Sequence, residues 1–183
     1  MDGHKRQREQ SGKMIETALF ELMREKDFAQ ITVSEIVKRA DVARRTFYRL
    51  YKRKEDVLHR YFGKLCKNYR DTYPALKNYD LNQIAKDYFG FWYQHREFLM
   101  LIHQCGLDQM LYYEISRVSV DIVKSRIGCS EAKNEQDMSF FAYYSTGGFI
   151  LLLERWILEE MRGTPEQYAQ KVSRAILNFM LWE

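Results

Sequence analysis

The sequence predicts an all-α protein, and three observations carry the expectation. Only 2 prolines and 9 glycines punctuate 183 residues, too few for the turns of a sandwich or barrel and suited to long helices. Apolar residues recur at i, i+3, i+4 and i+7 in segment after segment, the period of a helix with one buried face. No segment reads as a strand and no internal repeat is present. Hydrophobic residues make up 46% of the chain, enough to bury a core in one or two compact units.

Residues 1 to about 12 are polar and mixed in charge, without apolar periodicity, and read as a flexible arm. Ile15, Ala18, Leu19, Leu22 and Met23 then mark a first helix ending near Lys26 and Asp27. Thr32-Val33-Ser34-Glu35 is a capping box: the Thr32 hydroxyl can accept from the backbone three residues on, while Glu35 reaches back. Behind it Val33, Ile36, Val37 and Ala40 form the stripe of a short second helix that breaks at Asp41. A third helix begins around Val42 and Ala43 and buries Phe47, Leu50 and Tyr51. Two short helices joined by a tight turn make a helix-turn-helix.

A fourth helix starts near Lys54-Glu55-Asp56 and runs to about Tyr73, where Pro74 stops it. Leu81, Ile84, Ala85, Tyr88, Phe89 and Trp92 set a fifth, and Phe98 to about Gly106 a compact sixth. Leu111, Ile115, Val118 and Ile122 mark a seventh, closed near Gly128, and residues 128 to 134 read as a loop. From about Glu135 to Met161 runs a long helix that is apolar on more than one face. Met138, Phe141, Ala142, Phe149, Leu152 and Trp156 share one face, while Tyr143, Gly147, Ile150, Leu151 and Leu158 lie on others. Such a helix must be covered all round. Gly163-Thr164-Pro165-Glu166-Gln167 ends it and starts a last helix, with glycine as terminator, threonine as cap and glutamine closing the box. That helix buries Tyr168, Val172, Ala175, Ile176 and Phe179.

The net charge of +4 is unevenly spread. Residues 1–56 hold 14 Lys/Arg against 10 Asp/Glu, and the remainder holds 15 of each. Six basic residues against one acid fall between Asp41 and Lys54. Such a block is the electrostatic footprint of a nucleic-acid reader, although charge alone is equally compatible with a solvated surface. Its coincidence with the second helix of a helix-turn-helix favours duplex DNA, because that helix enters the major groove. Arg44, Arg45, Thr46, Tyr48 and Arg49 all lie off the buried stripe. Lys5, Arg6 and Arg8 could touch phosphates or a minor groove, against the favoured reading of an inert tail. Lys54 opposes the dipole of the helix it starts; a DNA phosphate would offset that, and a solvated lysine is the alternative.

Other classes are disfavoured. The longest apolar run, Phe149 to Leu153, ends at Glu154 and Arg155, far short of a bilayer span. The first residues carry no apolar stretch, so no signal peptide is expected and the cytoplasm is the expected compartment. Cys66, Cys105 and Cys129 are odd in number and widely spaced, and read as buried or incidental thiols, not a disulfide frame or zinc site. His4, His59, His95 and His103 are scattered, with no H-E-x-x-H, nucleophile elbow or phosphate loop. No enzyme, catalytic group, metal or cofactor is expected.

Thr32-Val33-Ser34-Glu35-Ile36, then Ala40-Asp41-Val42-Ala43-Arg44-Arg45-Thr46-Phe47-Tyr48, then Lys54-Glu55-Asp56-Val57-Leu58 resemble the TetR family of transcriptional regulators in order, spacing and residue type. The resemblance covers roughly residues 12 to 60. It implies a helix-turn-helix DNA-binding domain over residues 1–57, including the arm 1–12, and a helical effector-binding and dimerisation domain over 58–183. Arg44, Arg45 and Thr46 would then meet base edges, since arginine can bind guanine bidentately. Tyr48 and Lys54 would fix the phosphate backbone, with Thr32 and Ser34 near it. Tyr48 could instead pack in the core, but Phe47 and Tyr51 already fill that stripe. Arg49 either joins the DNA face or pairs with Glu55 or Asp56. Three positions depart from the family pattern: Asp41 stands for the turn glycine, Ala43 for a capping Ser or Thr, and Arg45 for glycine. Asp41 tolerates a left-handed backbone and is a candidate to replace the missing cap.

The resemblance also implies a homodimer whose last two helices form a four-helix bundle, with Gly147-Gly148 permitting close backbone approach. Tyr88, Trp92, His103, Tyr113, Tyr143 and Tyr144 are candidates to line a cavity for a small apolar or aromatic effector, each with an ordinary core or interface role as the alternative. The expected function is a repressor released from its operator by such an effector. The alternative is a DNA-binding factor of the same fold without a small-molecule ligand, controlled by a protein partner or organising DNA. A solidly packed C-terminal core would favour the latter.

Overall fold

Helix ends in this chain are set by side chains that satisfy the orphan backbone groups, and the packing follows from where those ends fall. The computed structural model describes residues 3–73, 80–127 and 135–180. Among the described residues are helices α1 (Gly3–Glu25), α2 (Val33–Arg39), α3 (Arg44–Leu50), α4 (Glu55–Thr72), α5 (Leu81–Gln94), α6 (Arg96–Gln104), α7 (Asp108–Ile127), α8 (Glu135–Leu158) and α9 (Pro165–Met180), with a 3-10 turn at Phe28–Gln30 and no strand. Met1 and Asp2, Pro74, the expected loop at 128–134 with Cys129, and the Phe179 side chain lie outside the described residues.

The expected arm is helix instead: α1 begins at Gly3, and residues 3–10 are exposed. Lys5, Arg6, Gln7, Arg8, Glu9 and Gln10 are good helix formers, and extending a helix already anchored at Ile15 costs little. A polar segment without apolar period lacks a packing face, not a helical backbone. Further along, α1 buries Ile15, Leu19 and Leu22, and it packs on α2, α3 and α4. Ile36, Phe47 and Leu58, one from each of those helices, are wholly buried with them.

The turn between α2 and α3 is a Schellman motif. Asp41 adopts φ +50, its N–H reaches Lys38 O at 3.3 Å, and the Val42 N–H reaches Val37 O at 3.1 Å. Ala43 stands at the N-cap of α3 and no side chain caps that helix, so Asp41 serves the turn and does not replace the missing cap. A carboxylate at a left-handed position is directed by the turn, away from the amides of the next helix.

α4 packs both on α1 and on α7. The boundary expected after residue 57 therefore falls in the first turn of a helix shared by head and body, at Val57 and Leu58, which are wholly buried. In the body, α5 lies along α9 and α7 along α8. Trp156 is stacked between Tyr93 and Tyr168, with ring centroids 5.6 and 4.7 Å away, and its indole N–H donates to Arg162 O at 3.0 Å. α8 ends before Gly163, through Glu160 and Met161 in the left-handed region at φ 57 and 51. Thr164 and Gln167 then close the expected box, each side chain 3.2 Å from the other's backbone nitrogen.

Two burial expectations fail. α8 is not covered all round by its own chain: Phe140, Tyr143, Tyr144, Leu151 and Leu158 stand between 63% and 78% exposed. On α9, Ala175 faces solvent while Ala169 and Ser173 are buried. Ser173 tolerates burial because its hydroxyl returns a hydrogen bond to Ala169 O at 2.8 Å. Cys66 is a buried free thiol, pushed up to about 12 by burial and thus unreactive.

Candidate nucleic-acid interface

The capping box predicted at Thr32 is present in full. Thr32 Oγ1 accepts from the Glu35 N–H at 3.3 Å and donates to Glu35 Oε2 at 2.8 Å, and the Thr32 N–H donates to the same oxygen at 2.9 Å. Lys26 approaches the other carboxylate oxygen at 2.5 Å. The Lys26 ammonium, then the Thr32 amide and hydroxyl, hold the Glu35 carboxyl down at about 2. The far end of α2 is tied back to α1 by a two-pronged contact of Arg39 with Glu25, at 2.8 Å for each nitrogen. These exposed pairs add little stability, but they fix how α2, and hence α3, is presented.

On that base α3 turns a polar face outward. Phe47 is wholly buried and Tyr51 is 3% exposed, whereas Tyr48 is 48% exposed. The Arg44 guanidinium lies over the Tyr48 ring at 5.7 Å and reaches the Tyr48 hydroxyl at 3.4 Å and Ser34 Oγ at 3.3 Å. Ser34, Arg44 and Tyr48 are thus one cluster. Arg45 and Arg49 are exposed and Thr46 half-buried beside it. Among the described residues neither Arg45 nor Arg49 forms an ion pair. Asp56, the partner considered for Arg49, instead accepts from the Lys52 and Arg53 amides at 2.8 and 3.1 Å and contacts Arg53 Nε at 3.4 Å.

Two expected members stand differently. The Thr32 hydroxyl proton and amide are both taken up by Glu35. Lys54 points inward: its ammonium donates to Phe28 O at 2.5 Å, Ala29 O at 3.0 Å and Ile31 O at 2.9 Å, and lies 4.6 Å from the centre of the Phe28 ring. An ammonium has three protons, and three carbonyls take them. The acceptors that a lysine at the start of α4 needs are neutral carbonyl oxygens of the connector between α1 and α2.

The aromatic residues expected to line one cavity are divided: Tyr113 and Tyr143 flank an open groove between α7 and α8. A partly open, largely apolar space of about 50 Å³ lies among Tyr69, Ile84, Tyr88, Ile122, Phe141, Thr146 and Phe149, and of the six candidates only Tyr88 reaches it. Trp92 is packed into the core at 2% exposure, and His103 pairs through Nδ1 with Asp108 at 2.9 Å. Tyr113, Tyr143 and Tyr144 are 62% to 78% exposed. Selecting aromatics by type ignores helix phase, which turns Tyr143 and Tyr144 outward and Thr146 inward on α8. Two buried acids were also missed. Glu16 takes the Tyr51 hydroxyl at 3.4 Å and the Lys64 ammonium, and Glu114 takes His59 Nδ1 at 2.8 Å and Arg117 at 2.9 Å. No group of three or more metal-binding side chains occurs among the described residues, and no helix there is long and apolar enough to cross a membrane.

Comparison with known proteins gives two family matches: bacterial regulatory proteins of the tetR family over residues 15–61, and a transcriptional regulator C-terminal region over residues 79–178. The chain is 24% identical over 165 residues to YxbF, an uncharacterized HTH-type transcriptional regulator of Bacillus subtilis (strain 168). That match covers 86% of this chain but only 42% of the relative, so the chain spans less than half the length of the curated protein it matches. Among solved structures, the dihydroxyacetone kinase operon activator DhaS superposes with a TM-score of 0.65 at 19% identity, covering 94% of this chain and 98% of the other. The fatty acid degradation regulator FadR from Bacillus halodurans superposes at 0.61 and 17% identity, covering 94% and 97%. At these identities the likeness is one of fold.

Proposed function

Because this chain belongs to the TetR family of DNA-binding transcriptional regulators, we propose that it is a homodimeric repressor that a small-molecule effector releases from its operator. The observation that carries the reading is the outward cluster of Ser34, Arg44 and Tyr48, flanked by Arg45 and Arg49, which have no acidic partner among the described residues. Arg44, Arg45 and Thr46 read base edges in the major groove, and arginine's fork suits guanine. Ser34, Tyr48 and Arg49 hold the phosphate backbone. Thr32 and Lys54 act one step back, by fixing the start of α2 and of α4. Head and body divide near residues 57 and 58, with α4 as the connection along the chain.

Dimerisation is supported by the exposed stripe Phe140, Tyr144, Leu151 and Leu158 on α8. Gly147 and Gly148 lie in its middle, with open space where a Cβ would stand. A second copy laid on this stripe gives a self-complementary two-fold interface. The effector reading rests on the cavity beneath α8, because a ligand there touches α4 through Tyr69 and so bears on the heads. A cavity of only about 50 Å³ is also the one observation favouring the second reading, a DNA-binding factor governed by a protein partner instead of a ligand. The double variant Arg44→Ala, Tyr48→Ala tests the DNA face: specific operator binding is lost while folding and dimerisation persist. Retained specific binding overturns it.

A further inference from the structure

The space beneath α8 is walled by apolar groups, and no charged side chain or histidine lines it. Hydroxyl-bearing Tyr69, Ser119 and Ser145 also line it, and two further hydroxyls, those of Tyr88 and Thr146, stand apart by their burial and pairing. Tyr88 is 7% and Thr146 6% exposed; among the described residues Thr146 Oγ1 has no hydrogen-bond partner, and the Tyr88 hydroxyl, beside the donor-only indole of Trp92, finds no acceptor for its proton. Buried hydroxyls are ordinarily paired, since leaving one unpaired costs stability. A helical serine or threonine has a ready remedy in the carbonyl three or four residues back. Ser145 uses it, donating to Phe141 O at 2.8 Å, whereas its neighbour Thr146 does not.

Resting on the effector reading above, we propose that the effector is a small neutral molecule with an apolar body and one hydrogen-bonding oxygen, of the alcohol or ketone class, which pairs with the Tyr88 and Thr146 hydroxyls. A carboxylate or ammonium is excluded because no opposite charge lines the space to offset its desolvation. One water needs roughly 10–15 Å³ on this scale, so the space of about 50 Å³ takes a body of about three to five non-hydrogen atoms without repacking. Access is from the groove between α7 and α8, about 500 Å³ in extent, which shares Thr146 and Ile150 with the cavity and is flanked by Tyr113 and Tyr143. Such a ligand joins α4 and α5 to α8, the helix of the proposed dimer face.

The test uses the full chain, titrated by NMR with 1-butanol, butyrate and butylammonium, and with xenon as a probe blind to hydroxyls. Wild type is expected to bind 1-butanol at least tenfold more tightly than either charged analogue. Thr146→Val and Tyr88→Phe each weaken 1-butanol about tenfold, roughly one hydrogen bond, and leave xenon binding unchanged or tighter. Without ligand, Thr146→Val raises Tm by about 2–4 °C, because an unpaired hydroxyl gives way to a methyl of the same shape. Charged analogues binding as tightly as 1-butanol, both variants holding it at wild-type strength, or a lower Tm for Thr146→Val would each overturn the proposal. Xenon binding without 1-butanol binding sinks this ligand class alone, whereas failure of both sinks the cavity as an effector site as well.

Discussion

Lys54 is where the chemistry of one side chain changes the reading of the interface. A lysine at the start of a helix is mildly unfavourable, and a DNA phosphate is the natural external remedy. The fold supplies an internal one in the carbonyls of Phe28, Ala29 and Ile31. The two roles separate experimentally. Lys54→Met should cost about 1–2 kcal/mol of folding stability, since hydrogen bonds from a charged group are among the stronger ones. The salt dependence of operator binding should keep its slope, whereas loss of a phosphate contact would reduce it by about one. Denaturant unfolding and binding titrations across salt measure both. Glu35 gives a second test. Its folded pKa, about 2, lies below the ordinary 4.5, so the folded state holds that proton less tightly than the unfolded chain. Its contribution is therefore complete above about 4.5 and is lost as pH falls toward 2. Glu35→Gln should lower Tm relative to wild type at neutral pH, with the difference closing across that acidic window.

Among the elements, helix starts and stops were the most legible part of the sequence, because they depend on neighbours within four residues. The Thr32–Glu35 and Thr164–Gln167 boxes were visible from spacing alone and exist as hydrogen bonds. The burial of Phe47 and Tyr51 with Tyr48 left outside followed from helical phase. What depends on distant parts of the chain was not legible. The carbonyls that engage Lys54 come from more than twenty residues upstream, and the cavity walls are drawn from α4, α5, α7 and α8. The helical start of α1 was missed for a different reason: apolar period reports a buried face, and residues 3–10 are all exposed. The turn between α2 and α3 gives an element-level prediction. Asp41 holds φ +50, which glycine adopts without strain. Asp41→Gly should raise stability by about 0.5–1 kcal/mol, measured by thermal or denaturant unfolding, with the Schellman hydrogen bonds retained. A loss of stability would show that the aspartate side chain supports the turn.

The molecule as a whole joins an exposed cationic head to a body through α4, which packs against both, and through α1, whose Phe20 meets Phe98 of α6. Among the described residues most of the exposed large apolar side chains lie on α8, and the proposed dimer follows from that stripe. Leu151→Glu should weaken dimerisation at least a hundredfold by sedimentation, since a two-fold interface buries the unpaired carboxylate twice. The monomer should stay folded, because Leu151 is 64% exposed within the chain. An unchanged dimer would move the interface elsewhere. With two heads held by that interface, the recognition helices meet two half-sites about one helical turn apart, or a multiple of it. Methylation interference on the footprinted operator reads this arrangement: guanine N7 methylation in the major groove should block binding at two symmetric half-sites, and Arg44→Ala should abolish that pattern. Binding that ignores guanine N7 methylation, or protection of a single asymmetric site, would contradict a paired helix-turn-helix reading DNA through α3.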